Sequence, residues 1–236
     1  MNSNVYSLAF VLLAGGESAR YKGNKLLSEH PSSALPLIQH CINEVVSARN
    51  ELTLASSLPI TVVSGKWHDS ICAQLKRLAL TRSQHSLSVA HNGNWAEGIA
   101  SSIRTGIENV ANVSLSQSRT DSGLNTKPTH VLFTLADLPS LNAQDFIRLI
   151  NTSKAQPNNI VCSEWHMEGE TNSRLTVPAI FPESMFSELV ALKGDVGAKL
   201  IIQKYAKVDR VTTVSIPNAQ FDIDTPQDWD KLKRRG

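Results

Sequence analysis

Short apolar runs alternate with segments of helical periodicity along most of this 236-residue chain, and this alternation is the feature that most restricts its fold. The first run, LAFVLLA at 8–14, is apolar throughout, as expected for a strand buried on both faces of a sheet. ITVVS at 60–64, SLSVA at 86–90 and HVLFTLA at 130–136 follow the same pattern. The alternation predicts a mostly parallel sheet with helices on both faces. In such sheets, ligands bind beyond the carboxyl ends of the strands.

The chain length and the lack of an internal break predict a single α/β domain over residues 1–236. Residues 112–128 are polar and rich in Ser, Thr, Asn and Gly, which predicts an inserted surface loop. Helices are predicted over 183–192 and about 196–206. The final helix is expected to begin at Thr225 as its N-cap, with Pro226 in the first turn.

Composition and charge exclude several classes of partner. A net charge of +2 is too small for a surface that binds nucleic acid or a membrane. The chain has 3 cysteines without C-x-x-C spacing, which disfavours a disulfide framework or a structural zinc site and predicts a reducing compartment. The N-terminal apolar run is too short to cross a bilayer and lacks the pattern of a signal peptide. We therefore expect a cytoplasmic protein.

A glycine pair followed by cations comes directly after the first apolar run. Ala14-Gly15-Gly16 lets the backbone approach a ligand closely, and successive amide groups in such a turn bind anions. Arg20 would contact a phosphate through two parallel N–H groups, and Lys25 would act as a mobile point charge. The segment matches neither the Walker A pattern nor G-x-G-x-x-G. It predicts phosphate binding by a loop of another kind.

Three carboxylates in two distant segments indicate a metal site. Asp137 follows the fourth apolar run, where a carboxylate is costly unless a cation accompanies it. Asp222 and Asp224 lie two residues apart, so in an extended chain they project from the same side. Mg²⁺ is typically held by few carboxylates, with water and substrate phosphate as its other ligands. We predict a Mg²⁺ site formed by Asp137 with Asp222 or Asp224, and the choice between the last two stays open.

Five ordered blocks of the sequence resemble the MobA-like nucleotidyltransferase family, and within it most closely the molybdenum cofactor cytidylyltransferases. The blocks are LAGGESARYKGNK at 13–25, NGNWAEG at 92–98 with two serines behind it, LADLP at 135–139, VPAIF at 177–181 with LKGDVGAK at 192–199, and DIDTPQD at 222–228. The resemblance implies a Rossmann-like three-layer sandwich of the nucleotide-diphospho-sugar transferase type. It also implies transfer of CMP, or else GMP, from a nucleoside triphosphate to the terminal phosphate of molybdopterin, with release of pyrophosphate.

The resemblance also implies roles for individual residues. Nucleotide-binding residues would be Leu13, Ala14, Gly15, Gly16, Arg20, Lys25, Ser64, Gly65, Asn92, Gly98 and Ser101. Mg²⁺ would be held by Asp137 together with Asp222 or Asp224, and the catalytic residues would be Arg20, Lys25 and Asp137. Asp195 would contact the acceptor, with capping of the next helix as the alternative. The implied partners are CTP or GTP, a molybdopterin-type acceptor, and a recipient molybdoenzyme or accessory protein.

Two alternatives to this activity stay open. The chain could be a cytidylyltransferase for another phosphorylated acceptor, methylerythritol phosphate or a sugar phosphate. It could instead be an accessory protein that binds a nucleotide or cofactor without turnover. Trp95, within the second block, is interpreted as a packing residue, with a place in the wall of the pocket as the alternative.

Overall fold

The structure is a computed structural model that describes residues 6–52, 58–81, 87–117, 127–166 and 173–234. Within these ranges one sheet contains the strands β1 (Leu8–Ala14), β2 (Ile60–Ser64), β3 (Leu87–His91), β4 (His130–Leu135), β5 (Ile160–His166), β6 (Ser173–Pro182) and β7 (Val211–Ser215). Their order is β3-β2-β1-β4-β6-β5-β7. All neighbouring pairs are parallel except the two that include β6. The prediction of a mostly parallel sheet is confirmed.

Helices cover both faces of the sheet. They are α1 (Leu37–Glu51), α2 (His68–Thr81), α3 (Ile99–Gln117), α4 (Ala143–Ala155), α5 (Phe186–Val190), α6 (Lys199–Ala206) and α7 (Asp228–Lys233). Alternate side chains of β1 point to opposite faces. Phe10 and Leu12 join a core with α1, α2, α4 and α7, whereas Val11 and Leu13 join one with α3, α5 and α6. The three-layer α/β fold is confirmed. No helix in the described ranges is both long and apolar enough to cross a membrane.

The central position of β1 sets the place of the site. All seven of its residues are buried, and it pairs in parallel with β2 on one side and β4 on the other. In this register Ala14 lies opposite Ser64, and Leu13 lies opposite Leu135. The segments that follow these three strands therefore leave the sheet at the same edge.

The predicted surface loop at 112–128 is wrong in its first part. Helix α3 continues to Gln117, so residues 112–117 are helical. Val110 and Val113 both pack against the core on that face, which extends the apolar spacing of the helix into the segment predicted as a loop. Residues 118–126 of the predicted loop lie outside the described residues.

The C-terminal helices begin later than predicted. The segment at 183–192 forms a 3₁₀ turn, Glu183–Met185, followed by the short α5, and α6 begins only at Lys199. Helix α7 begins at Asp228 rather than Thr225. The carboxylate of Asp228 accepts hydrogen bonds from the backbone N–H groups of Asp224 and Thr225 and from the Thr225 hydroxyl, so these residues form a turn before the helix.

Candidate active site

A cleft lies where β1 and β4 end. It consists of two neighbouring cavities of about 450 Å³ and about 330 Å³. Both are lined by Leu13, Gly16, Glu17, Asp137 and Asp195. The first, here called the charged cavity, is also lined by Ala14, Ser18, Ala19, Arg20, Lys25, Leu26 and Asp224. The second, here called the tryptophan cavity, is also lined by Gly15, Trp95, Ala96, Gly98, Ile99, Ser102 and Leu135.

The glycines after β1 and β2 have different structural roles. A Cβ added at Gly65 would lie 2.2 Å from the carbonyl oxygen of Gly15 and 2.7 Å from the Cβ of Trp95. A Cβ added at Gly15 would lie 2.6 Å from Ser102 Oγ. One added at Gly16 would meet no atom within 4 Å. Gly65 therefore allows the loops after β1 and β2 to pack closely, and Gly15 allows the close approach of Ser102 in α3, whereas Gly16 leaves its backbone accessible from the cleft.

Alanine substitutions at Gly65 and Gly16 should differ in their effect on stability, because only the first glycine is closely packed. We expect Gly65→Ala to lower the free energy of unfolding by about 1–3 kcal/mol, because overpacking forces the buried backbone of Gly15 to move. Gly16→Ala is the matched control and should change it by less than about 0.5 kcal/mol. Urea unfolding of both variants measures the difference. Equal stabilities would contradict the close packing of the two loops.

Three carboxylates converge at one side of the charged cavity. Asp137, Asp222 and Asp224 each present an oxygen, and these oxygens lie within 4.8 Å of one another. The backbone N–H of Ile223 donates to the carbonyl oxygen of Asp137 at 3.0 Å, which joins the two segments. The cluster therefore includes both members of the pair between which the sequence left the choice open.

The chemistry of this cluster suits a divalent cation. Asp137 Oδ1 is buried and accepts no hydrogen bond, which is costly for a carboxylate oxygen unless a cation contacts it. Although Asp222 is exposed, desolvation by the surrounding protein raises its pKa, and the like charges of Asp224 and Asp137 raise it further. A bound metal ion would relieve both effects, and oxygen ligands of this type are those that Mg²⁺ prefers.

Two cations face the carboxylate cluster. Lys25 Nζ lies 2.7 Å from Asp137 Oδ2 and 3.3 Å from Asp224 Oδ1, and its side chain is only 10% exposed. Arg20 lies 2.6 Å from Asp224 Oδ2, but its side chain is 73% exposed. Burial lowers the pKa of Lys25, but the charges of Asp137 and then Asp224 outweigh it, so the pKa is raised and the ammonium ion persists.

Local backbone geometry directs these cations toward the acids. Ser18 and Lys22 adopt left-handed conformations, with φ of 58° and 55°, on either side of a short 3₁₀ turn that carries Arg20. A second turn begins at Lys25, and the side chain of Asn24 accepts a hydrogen bond from Leu26 N at its start. The loop therefore folds back over the end of β1.

Ser64, Asn92 and Ser101 are not among the residues that line the two cavities, so the cleft does not bring them together with the other predicted nucleotide-binding residues. All three are buried. Asn92 Nδ2 donates to Ser101 Oγ at 2.7 Å and to Ser102 Oγ at 3.0 Å, and Ser64 Oγ donates to the carbonyl oxygen of Ala90. Their polar atoms are used in internal hydrogen bonds that support the wall of the cleft.

The cleft also contains side chains to which the sequence assigned no ligand-binding role. Trp95 lines the tryptophan cavity, which favours the alternative that it forms part of the wall of the pocket. Lys66 lies over its ring at 5.8 Å and forms an ion pair with Glu17 at 2.6 Å. Ser102 faces the same cavity. The only signal for Trp95 and Ser102 was their position within or directly behind the second block.

Asp195 lies at the boundary of the two cavities, on the loop that precedes α6. The alternative role as a helix cap is not supported, because α6 is preceded by Ala198 and has no side-chain cap hydrogen bond. Of the predicted residues, the cleft thus brings together the glycine loop, both cations, Asp137, Asp224, Gly98 and Asp195, with Asp222 beside them.

Solved structures of similar fold span nearly the whole chain. Rv0371c from Mycobacterium tuberculosis H37Rv is 18% identical with a TM-score of 0.64, over 97% of this chain and 98% of that chain. A complex of Rv0371c with manganese is 16% identical with a TM-score of 0.54, over 98% and 97%. The 4-diphosphocytidyl-2C-methyl-D-erythritol synthase of Anaerococcus prevotii DSM 20548 is 12% identical with a TM-score of 0.66, over 98% and 96%.

The sequence itself matches one family model and, at a significant level, no curated protein. That model is the MobA-like NTP transferase domain, and it matches residues 10–209, which include the glycine loop, both cations, Asp137 and Asp195. Asp222 and Asp224 lie beyond the matched range. The chain belongs to the family of MobA-like NTP transferase domains.

Proposed function

We propose that this protein is a Mg²⁺-dependent nucleotidyltransferase that transfers CMP from CTP, with GTP as the second choice, to the terminal phosphate of molybdopterin and releases pyrophosphate. The observation that carries the proposal is the contact of Lys25 with Asp137 and Asp224 beside the open backbone of Gly16. Cations, an accessible backbone and a metal-binding type of carboxylate cluster share one cavity. Groups of all three kinds bind a triphosphate and its metal ion.

The charged cavity would hold the triphosphate. Arg20 has an exposed guanidinium that can form two parallel hydrogen bonds to a phosphate, and Lys25 can move from the carboxylates to phosphate oxygens. The backbone of Ala14 and Gly16 lines the same cavity. In nucleotidyl transfer an acceptor phosphate oxygen attacks the α-phosphate, so these residues would orient two anions and stabilise the charge that develops on the leaving pyrophosphate.

Asp137, Asp222 and Asp224 would hold the metal ion. The buried, unpaired Oδ1 of Asp137 supports this assignment. The complex of Rv0371c with manganese, a protein of similar fold, supports it as well. When bound, the ion would neutralise phosphate charge as a Lewis acid. Lys25 would then lose its role as counter-ion of the acids and become available to the substrate.

The tryptophan cavity would hold the nucleoside part of the substrate. Leu13, Gly15 and Gly98 line it beside Trp95, and a ring face of this kind can stack on a base. Asp195 faces both cavities, at the point where the triphosphate would join the nucleoside, so it would contact the acceptor as the acceptor approaches the α-phosphate. We expect the reaction to take place in the cytoplasm, with a recipient molybdoenzyme or accessory protein as the partner that receives the product.

Thermal melting with the four nucleoside triphosphates in the presence of Mg²⁺ tests the nucleotide part of the proposal. A triphosphate at 100 times its Kd should stabilise the protein by about 2.7 kcal/mol, because ligand binding draws the equilibrium toward the folded state. We expect the largest shift with CTP. Equal, negligible shifts with all four would contradict the assignment of the cleft.

Pyrophosphate release tests the reaction and its acceptor. With CTP and Mg²⁺, release should depend on molybdopterin and should be absent with methylerythritol phosphate or a sugar phosphate. Release with one of those two would instead assign the alternative acceptor. Binding of CTP without release for any acceptor would indicate an accessory protein that does not catalyse transfer.

A further inference from the structure

The loop that carries Asp195 is fastened to the rest of the molecule by an arginine outside both cavities. Arg104 in α3 donates from one terminal nitrogen to the carbonyl oxygen of Leu192 at 2.7 Å. Its other terminal nitrogen donates to Glu97 Oε2 at 2.5 Å. Glu97 Oε1 in turn accepts a long hydrogen bond from Gly194 N at 3.5 Å. Arg104 and Glu97 thus contact both ends of the short segment that precedes Asp195.

Backbone packing fixes the same segment from the side of the cleft. Gly98 has a φ of +115°, and a Cβ added there would lie 2.6 Å from the carbonyl group of Gly194 and 2.7 Å from the Cα of Asp195. Ala100 N donates to the carbonyl oxygen of Gly194 at 3.2 Å. The backbone of Asp195 therefore rests directly on Gly98, and small displacements of the loop would move the Asp195 carboxylate within the cleft.

The geometry of these contacts favours arginine over lysine at position 104. One guanidinium group bonds a carbonyl oxygen and a carboxylate at the same time, which a lysine ammonium at the same place does with less defined geometry. Arg104 is the dominant reason that the pKa of Glu97 lies below its ordinary value, so the carboxylate stays charged as a partner. Leu192 is buried and anchors the start of the loop, whereas Asp195 is exposed. The loop thus has one fixed end and one end whose position depends on these contacts.

We propose that Arg104 and Glu97 are positioning residues that set the affinity for the phosphorylated acceptor by holding Asp195 at the boundary of the two cavities. Neither residue lines the charged cavity or the tryptophan cavity, so neither contacts the nucleotide there. This inference rests on the proposed function, since it takes Asp195 as a contact of the acceptor. It predicts an effect on one substrate and not on the other.

Steady-state kinetics with molybdopterin, combined with CTP binding, tests the inference. We expect Arg104→Met to raise the KM for molybdopterin about tenfold and to leave the Kd of CTP with Mg²⁺ within about twofold. The reason is that the charge-assisted hydrogen bonds that are lost hold only the loop that carries Asp195. Arg104→Lys should give a smaller increase. The double variant Glu97→Gln with Arg104→Met should be no worse than Arg104→Met alone, because the two residues act as a unit.

A matched control exists on the opposite face of the sheet. Arg148 in α4 pairs with Asp145 at 2.6 Å, so Arg148→Met also breaks an arginine–carboxylate contact, but away from the cleft. It should leave both KM and Kd unchanged. If Arg104→Met fails to fold, Glu97→Gln carries the same test, because it keeps the bond from Arg104 to Leu192.

The possible outcomes separate the inference from the proposed function. Asp195→Asn should raise the KM for molybdopterin at least as much as Arg104→Met. If Asp195→Asn raises it and Arg104→Met does not, the positioning role is overturned. Equal weakening of CTP and molybdopterin in Arg104→Met would show a merely structural role and also overturn it. Wild-type protein that releases no pyrophosphate with molybdopterin would overturn the proposed function and this inference with it. An Asp195→Asn variant with wild-type kinetics would overturn only this inference, because the protein would still transfer CMP to molybdopterin.

Discussion

Replacing Lys25 by methionine is expected to weaken the binding of CTP about 10- to 100-fold and, at the same time, to strengthen the binding of Mn²⁺ alone. The two effects have opposite signs because Lys25 would contact phosphate when nucleotide is bound and contacts the carboxylates when it is not. With nucleotide bound it would donate to phosphate oxygens, and such charge-assisted hydrogen bonds contribute about 1.5–3 kcal/mol each. Without nucleotide its ammonium lies 2.7 Å from Asp137 and competes with any cation for the same carboxylate.

Titration of Mn²⁺ followed by electron paramagnetic resonance, with and without CTP, measures both effects of Lys25→Met. Lys22→Met is the matched control, because it removes one exposed positive charge from the same loop. It should alter both affinities only slightly. An unchanged or lower affinity for Mn²⁺ in Lys25→Met would contradict the view that Lys25 neutralises the carboxylates of the ligand-free protein.

The same competition predicts that metal and nucleotide bind cooperatively in the wild-type protein. A triphosphate that attracts Lys25 and Arg20 leaves Asp137 and Asp224 without their counter-ions, and the metal ion then becomes the cation that these acids contact. By linkage, Mn²⁺ must raise the affinity for CTP by the same factor by which CTP raises the affinity for Mn²⁺. In Lys25→Met this factor should fall, since part of the competition is gone.

Much of the fold followed from local pattern, but strand order did not. The apolar run at 8–14 predicted a strand buried on both faces, and every residue of β1 is buried. The antiparallel position of β6 between β4 and β5 has no local signal, because pairing partners are chosen by tertiary packing. The end of α3 was predicted too early because the local signal there is misleading. Its polar residues resemble a loop, although Val113 still packs against the core.

The charged residues of the site could be predicted from the sequence, because they lie in segments that follow strands. The residues whose side-chain direction depends on tertiary packing could not. Asp137 and Lys25 belong to distant segments, and the shared edge of a parallel sheet brings them together. Asn92 could not be placed from sequence, because the side-chain direction that buries its amide against Ser101 depends on how α3 meets β3. The contact of Arg104 with Leu192 joins residues far apart in the chain and has no signature in either segment.

Asp137→Asn is expected to reduce pyrophosphate release by about three orders of magnitude, because a metal ion at a phosphoryl group stabilises the transition state by several kcal/mol. Asparagine keeps the shape of the side chain but removes the charge, and its amide replaces one of two oxygens, of which Oδ1 is buried without a partner. The affinity for Mn²⁺ should fall in parallel, which gives a readout that does not depend on turnover. Asp230→Asn, in an exposed position on α7, is the matched control.

The stability of Asp137→Asn distinguishes loss of metal from loss of fold. The substitution breaks the ion pair with Lys25, but it also removes a like charge from beside Asp222 and Asp224, so the two effects partly offset each other. We therefore expect a free energy of unfolding within about 1 kcal/mol of the wild-type value, measured by urea denaturation without metal. A variant that is equally stable, binds Mn²⁺ as tightly as the wild type and retains pyrophosphate release would remove Asp137 from the metal site. Since Asp222 and Asp224 alone leave no carboxylate from the end of β4 in the cluster, the proposed arrangement of the triphosphate would fail with it.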